Sequence, residues 1–116
     1  MTAGRWDFIL EQGATFQVTL TYKDSNDTAI DLTSYTARMK IKESHAESAS
    51  LVELTTANGG ITLGGVAGTI ALLISDTDTT ALDFDNGVHD LEIVSGSGIV
   101  TRIVEGNVVF SKEVTD

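Results

Sequence analysis

Hydrophobic and polar residues alternate with a period of two through most of this chain, the repeat of a strand with one buried face. In "TFQVTLTY" Phe16, Val18, Leu20 and Tyr22 fall on one face, and Gln17, Thr19 and Thr21 on the other. "TARMKIK" repeats the pattern: Ala37, Met39 and Ile41 point inward, while Arg38, Lys40 and Lys42 form a solvated stripe. "IDLTSY" re-enters the fold through Ile30, Leu32 and Tyr35. Further strands are predicted in "ASLVELTT", "ITLGG", "GTIALLIS", "VHDLEIVS" (Leu91 and Ile93 inward) and "IVTRIVEGNVVFS".

Turn chemistry separates these runs. In "KDSNDTA" Asn26 and Asp27 tolerate positive φ, and "DFDNG" is a second polar turn. "ESHAES" breaks the alternation and reads as a loop. "ANGG" carries the Asn-Gly pair of a tight hairpin, and "GGVAG" joins "ITLGG" to its partner "GTIALLIS". "SGSG", residues 95–98, is a hairpin tip. The helical suggestion is "SDTDTTAL", where Ser75 or Asp76 caps one turn and Asp76 and Asp78 favour its amide end. Short strands divided by turns every ~8–12 residues predict an all-β fold. The expected form is a single domain, 1–116, built as an immunoglobulin-like antiparallel β-sandwich of about 7–8 strands with at most one short helical turn.

The last strand contains a conflict of parity. Val108 and Phe110 are the natural inward pair at its end, yet Ile99, Thr101 and Ile103 share the opposite parity. Either the whole face of Val100, Val104, Val108 and Phe110 is core with Arg102 at an edge, or a bulge of one residue at Gly106 resets the face; the bulge is favoured, since glycine inside a strand commonly marks one.

Composition narrows the function. With 41% hydrophobic residues in 116, one modest core is available, and oligomerisation would add burial. Cysteine is absent, which excludes a disulfide framework, a thiolate nucleophile and a thiolate metal site. The net charge of -10 argues against a nucleic-acid backbone or an anionic membrane as partner. "MTAGRWDFIL" is too short and polar for a signal sequence, and no run approaches the ~18 apolar residues of a membrane span, so a soluble protein is expected.

Candidate chemistry is sparse. His45 sits in a polar loop and His89 opens a strand, and both read as surface or strand-edge residues. "DSNDTAID" opens like a calcium loop, but the sixth and twelfth positions hold Ala29 and Tyr35 where glycine and glutamate are needed. Asp76, Asp78, Asp83 and Asp85 form a second acidic group, which turn and cap roles account for. There is no "GxSxG" elbow and no "GK[ST]" after the glycines at 59–68, so no enzyme, no cofactor and no metal are expected. Arg5, Trp6 and Phe8 in "GRWDFIL" are the candidate protein interface, because aromatics anchor such patches; Trp6 and Phe8 share one strand face and equally suit a core.

Four segments, "DFILEQGATFQVTLTYKDS", "IDLTSYTARMKIKES", "NGGITLGGVAGTIALLISDTDTTAL" and "HDLEIVSGSGIVTRIVEGNVVFSKEVT", together resemble small tailed-bacteriophage virion proteins related to the N-terminal Ig-like domain of phage baseplate upper proteins. The resemblance spans nearly the whole chain. It departs at "LDFDNGVHDLEI", where relatives often carry a proline and this chain has none. It implies a virion structural protein assembled in the bacterial host cytoplasm, without catalytic residues. The implied role is a tail or baseplate adaptor that docks on other virion proteins and anchors fibres or spikes, in several copies of a symmetric assembly. A capsid decoration protein and a carbohydrate-binding module for the host surface, using Trp6, are the alternatives. Strand edges could pair with neighbouring chains in such an assembly.

Overall fold

The computed structural model describes residues 4–114. Among the described residues nine strands form two sheets: β1 (Gly4–Arg5), β2 (Phe8–Glu11), β3 (Phe16–Thr21), β4 (Thr36–Lys42), β5 (Val52–Thr55), β6 (Ile61–Leu63), β7 (Thr69–Ile74), β8 (Asn86–Val94) and β9 (Val100–Ser111). One sheet has the order β9-β8-β4-β5, with β1 and β2 both laid along β9; the other has the order β3-β7-β6. Lettered in chain order from β3 as B, these are the G-F-C-C′ and B-E-D sheets of an immunoglobulin-like sandwich. The all-β expectation therefore holds. The strand count exceeds the expected 7–8 because the N-terminal run is split in two.

Two features depart from the expected antiparallel plan. β1 and β2 run parallel to β9, with Gly4 opposite Val104 and Phe8 opposite Val108. Besides α1 (Asp76–Thr80), a 3-10 turn at Gly65–Ala67 fills the "GGVAG" connection between β6 and β7. Ser75, the first of the two expected caps, accepts the Asp78 amide at 3.2 Å and starts α1.

The core lies between the inward faces of the two sheets. Ala37, Met39 and Ile41 of β4 face Ile70, Leu72 and Ile74 of β7, joined by Leu91 and Ile93 of β8 and Val108 and Phe110 of β9. Phe84 stacks on Phe110, with ring centroids 4.6 Å apart. Leu32 is buried as well, in a non-strand segment held by Leu32 N–H to Gly65 O and Tyr35 N–H to Leu32 O.

The Asn58-Gly59 turn does not close a hairpin. It carries the chain from β5 in one sheet to β6 in the other, with Gly59 at φ 84° and the Asn58 carboxamide accepting from Thr55 and Gly60 amides. Leu54 and Ile61 on either side both face the core, so burial outranks the local preference for pairing.

The face reset in β9 is real, but its position is corrected. Leu91 pairs with Val104 and Glu92 with Arg102, so the extra residue is Ile103, not Gly106. Before it Thr101 is partly buried; after it Gly106, Val108 and Phe110 are buried. The glycine has another cause: a Cβ on Gly106 would collide with the carbonyl of Trp6 and the carboxylate of Asp7. It is the absence of a side chain that lets the N-terminal run cross β9 there.

Candidate interaction surfaces

In the N-terminal run, Trp6 and Asp7 bridge the gap between β1 and β2. Trp6 N–H donates to Glu105 O at 2.9 Å, continuing the parallel ladder. At the next step the ladder breaks: the Asn107 amide donates to Asp7 Oδ1 at 2.8 Å, and Arg5 Nε donates to the same oxygen at 3.1 Å. The Asn107 amide, helped by Arg5, holds the Asp7 carboxyl below its ordinary value despite the opposing effect of burial.

The Trp6 carbonyl turns inward and accepts from Nε2 of His89. His89 is only 3% exposed and lies mid-strand, opposite Ile41 and Gly106, so the surface reading of this histidine is corrected. Its parity is that of Leu91 and Ile93, and the same alternation that placed those two inward places the imidazole inward. A carbonyl acceptor fixes the hydrogen on Nε2, leaving Nδ1 buried with no partner. Burial depresses the His89 pKa, outweighing the Trp6 carbonyl and the carboxylates of Asp90 and Asp7; Arg5 adds slightly to the depression.

Of the candidate interface residues, Arg5 is exposed, whereas Trp6 and Phe8 are partly buried against the core. The Trp6 ring lies 4.7 Å from Phe8 and meets His89 edge-on at 5.5 Å; Phe8 continues to Phe16 at 5.0 Å. Both aromatics hold the edge strand to the sandwich.

His45 is exposed, as read. Asp83 and Asp85 are joined by Lys112, whose ammonium lies 3.3 and 3.5 Å from them and whose pKa they raise. Asp76 and Asp78 stay with α1. Among the described residues no group of three or more histidine, aspartate or glutamate side chains is arranged to hold a metal ion.

The outer faces of the two sheets differ sharply in charge. Across β4, β8 and β9 the outward rows read Arg38–Glu92–Arg102 and Lys40–Asp90–Glu105, with Glu53 of β5 opposite Lys40. Arg38 Nε donates to Glu92 at 2.8 Å, and Arg102 approaches Asp90, Glu105 and Glu92 at 3.5, 3.5 and 3.9 Å. Arg102 and Glu105 share this face only because Ile103 is bulged between them. A shallow trough of about 490 Å³ runs over the β4–β8 side of this face, past Arg38, Lys40, Glu53, Asp90 and Glu92. With Lys42, the positive and negative charges on this face balance.

The outer face of β3-β7-β6 carries no charge. Its residues are Gln17, Thr19 and Thr21, then Thr69, Ala71 and Leu73, then Thr62. The excess of -10 therefore resides in the loops, α1, the ends and the β1–β2 run. The threonine side of β3 is legible in its alternation, but only the register of three strands shows that the neutral side chains form one surface.

No protein-family model matches the chain, and neither does any curated protein. Among solved structures, the extracellular domains 3–5 of Drosophila OTK align with 97% of this chain and 33% of that one, at 11% identity and a TM-score of 0.39. The chain spans about a third of that structure, and a likeness this slight has no functional meaning.

Proposed function

We propose that this chain is a non-enzymatic structural domain of a tailed-phage virion, an adaptor at the tail or baseplate that docks on tail proteins and anchors fibres or spikes. The observation that carries the docking part is the division of the surface: two broad sheet faces, one internally neutralised by ion pairs and one without charge. Faces without net charge suit protein contact, because the centre of such contacts is depleted in unpaired charge. The virion location rests on the four-segment resemblance.

Image reconstruction of a virion containing this protein tests the reading. Density for the chain at the tail or baseplate, in about a dozen copies as ring symmetry suggests, is the expected result. Density on the capsid shell in hundreds of copies would replace the adaptor with a decoration protein. The geometry speaks against a sugar platform on Trp6, since that ring packs against Phe8 and His89. A glycan titration that detects binding abolished by Trp6→Ala would reverse this judgement.

A further inference from the structure

Strand edges expose unpaired main-chain groups and are normally guarded by charge, brevity, a bulge or a covering segment. Three of the edges here are guarded in such ways. β6 has three residues; β5 has four and carries Glu53; the β1–β2 run is interrupted and carries Arg5, Asp7 and Glu11. β3 is different. It has six residues, none charged and none glycine or proline, and among the described residues no backbone pairs with its outer edge.

The direction of the free groups follows from the ladder. Tyr22 N–H donates to Gly68 O in line with the β3–β7 register, so the even positions of β3 turn their main-chain groups toward β7. The N–H and C=O groups of Gln17, Thr19 and Thr21 thus point away from the sheet. Beneath that edge the apolar layer is unfinished: Phe16, Val18 and Leu20 are only partly buried, while their neighbours Ile74, Leu72 and Ile70 are 1%, 0% and 0% exposed.

We propose that a second copy of this chain adds its own β3 at this edge, antiparallel about a twofold axis at Thr19. The two three-stranded sheets then join into one six-stranded sheet. In this register Thr19 meets its symmetry mate and Gln17 meets the partner's Thr21, all through outward-facing main-chain groups. Val18 meets the partner's Leu20 and Phe16 the partner's Tyr22, which extends the apolar layer across the axis.

The second copy is favoured as occupant by charge. A chain of net charge -10 repels itself, and the neutral β3-β7-β6 face with its edge is where two copies approach without opposing like charges. Faces also match: inward residues meet inward residues, and uncharged polar residues meet uncharged polar residues. The dimer is a property of the purified chain, so its failure is read separately from that of the virion location.

Sedimentation velocity of the purified chain over a wide concentration range tests it. The wild type is expected to pass from monomer to dimer. Thr19→Lys sets two like charges opposite each other at the axis and weakens the dimer about tenfold or more. Gln17→Lys weakens it too, providing a second edge variant if the first folds poorly by circular dichroism. Thr62→Lys, on the same outer face but on the far strand, leaves it unchanged. An equal mixture of Thr19→Lys and Thr19→Asp recovers dimer. A wild type that stays monomeric, folded edge variants that dimerise as tightly as wild type, or a Thr62→Lys effect as large as theirs would each overturn the proposal.

Discussion

His89, in the middle of β8, donates a hydrogen bond from Nε2 to the main-chain carbonyl of Trp6, and so ties the N-terminal run to the sheet. Burial favours the neutral ring, because protonation at Nδ1 would place a second N–H with no acceptor in the interior, even though the bond to Trp6 itself suits the charged form. The depressed His89 pKa has a definite consequence for stability. Below the unfolded value of 6.5 the unfolded chain takes up a proton that the folded ring resists, so folding is fully favoured above that pH and weakens as pH falls toward the depressed folded value. Urea midpoints measured between roughly pH 5 and 7 should fall on acidification, and His89→Leu should flatten that slope. Asp7 and Asp31, both with lowered pKa, act in a separate window: their contribution is present above the ordinary carboxylate value of 3.8 and fades below it. An unchanged slope in His89→Leu would contradict this assignment.

Gly106→Ala tests why the glycine is there. The added methyl meets the Trp6 carbonyl, which belongs to backbone and cannot simply rotate away. Destabilisation of about 1–3 kcal/mol is expected by chemical denaturation. Trp6 is the single tryptophan, so its fluorescence reports displacement of the N-terminal run directly. A bulge role would instead leave the alanine variant close to wild type.

Thr79 is a buried hydroxyl with three assigned partners. Its Oγ1 lies 2.9 Å from Ala14 O and 3.1 Å from Asp76 O, and it accepts from Gly13 N–H at 3.1 Å. It fastens the β2–β3 turn to α1, together with Gln12, whose amide donates to Leu82 O. Thr79→Val keeps the volume and removes the hydroxyl, leaving main-chain groups of the turn unsatisfied. A loss of about 1–3 kcal/mol in thermal or urea unfolding is the expected result.

Leu91→Ala and Arg102→Ala weigh core against surface. Leu91 is 0% exposed at the centre of the sandwich, and its truncation should lower unfolding free energy by about 2–5 kcal/mol with an unchanged urea m-value. Arg102 approaches three carboxylates, yet its side chain is half exposed, and its loss should stay within about 1 kcal/mol and shrink further in high salt. Equal effects from the two variants would mean that the outer charge lattice, not the core, holds the sheets.

Much of the architecture could be read in advance where alternation was unbroken. β3, β4, β7 and β8 stand where their period-two patterns put them, and the inward set of β4 is the one the pattern named. The misses share a cause. His89 kept inward parity, but its residue type suggested surface; Asn58-Gly59 kept a hairpin signature, but its flanking residues belong to opposite sheets. In both, local chemistry was overruled by which partners lay across the core.

Sequence by itself determined most of the strands and their buried faces, a cap at Ser75 or Asp76 and a conflict of parity in β9, because these follow from the period of a pleated backbone and from local hydrogen bonding. Tertiary structure decided the rest. It put the bulge at Ile103, laid the N-terminal run parallel along β9, and assembled the neutral face from three strands distant in sequence. Those outcomes depend on register and on close approach between segments about a hundred residues apart, such as Asp7 and Asn107, which no one-dimensional pattern encodes.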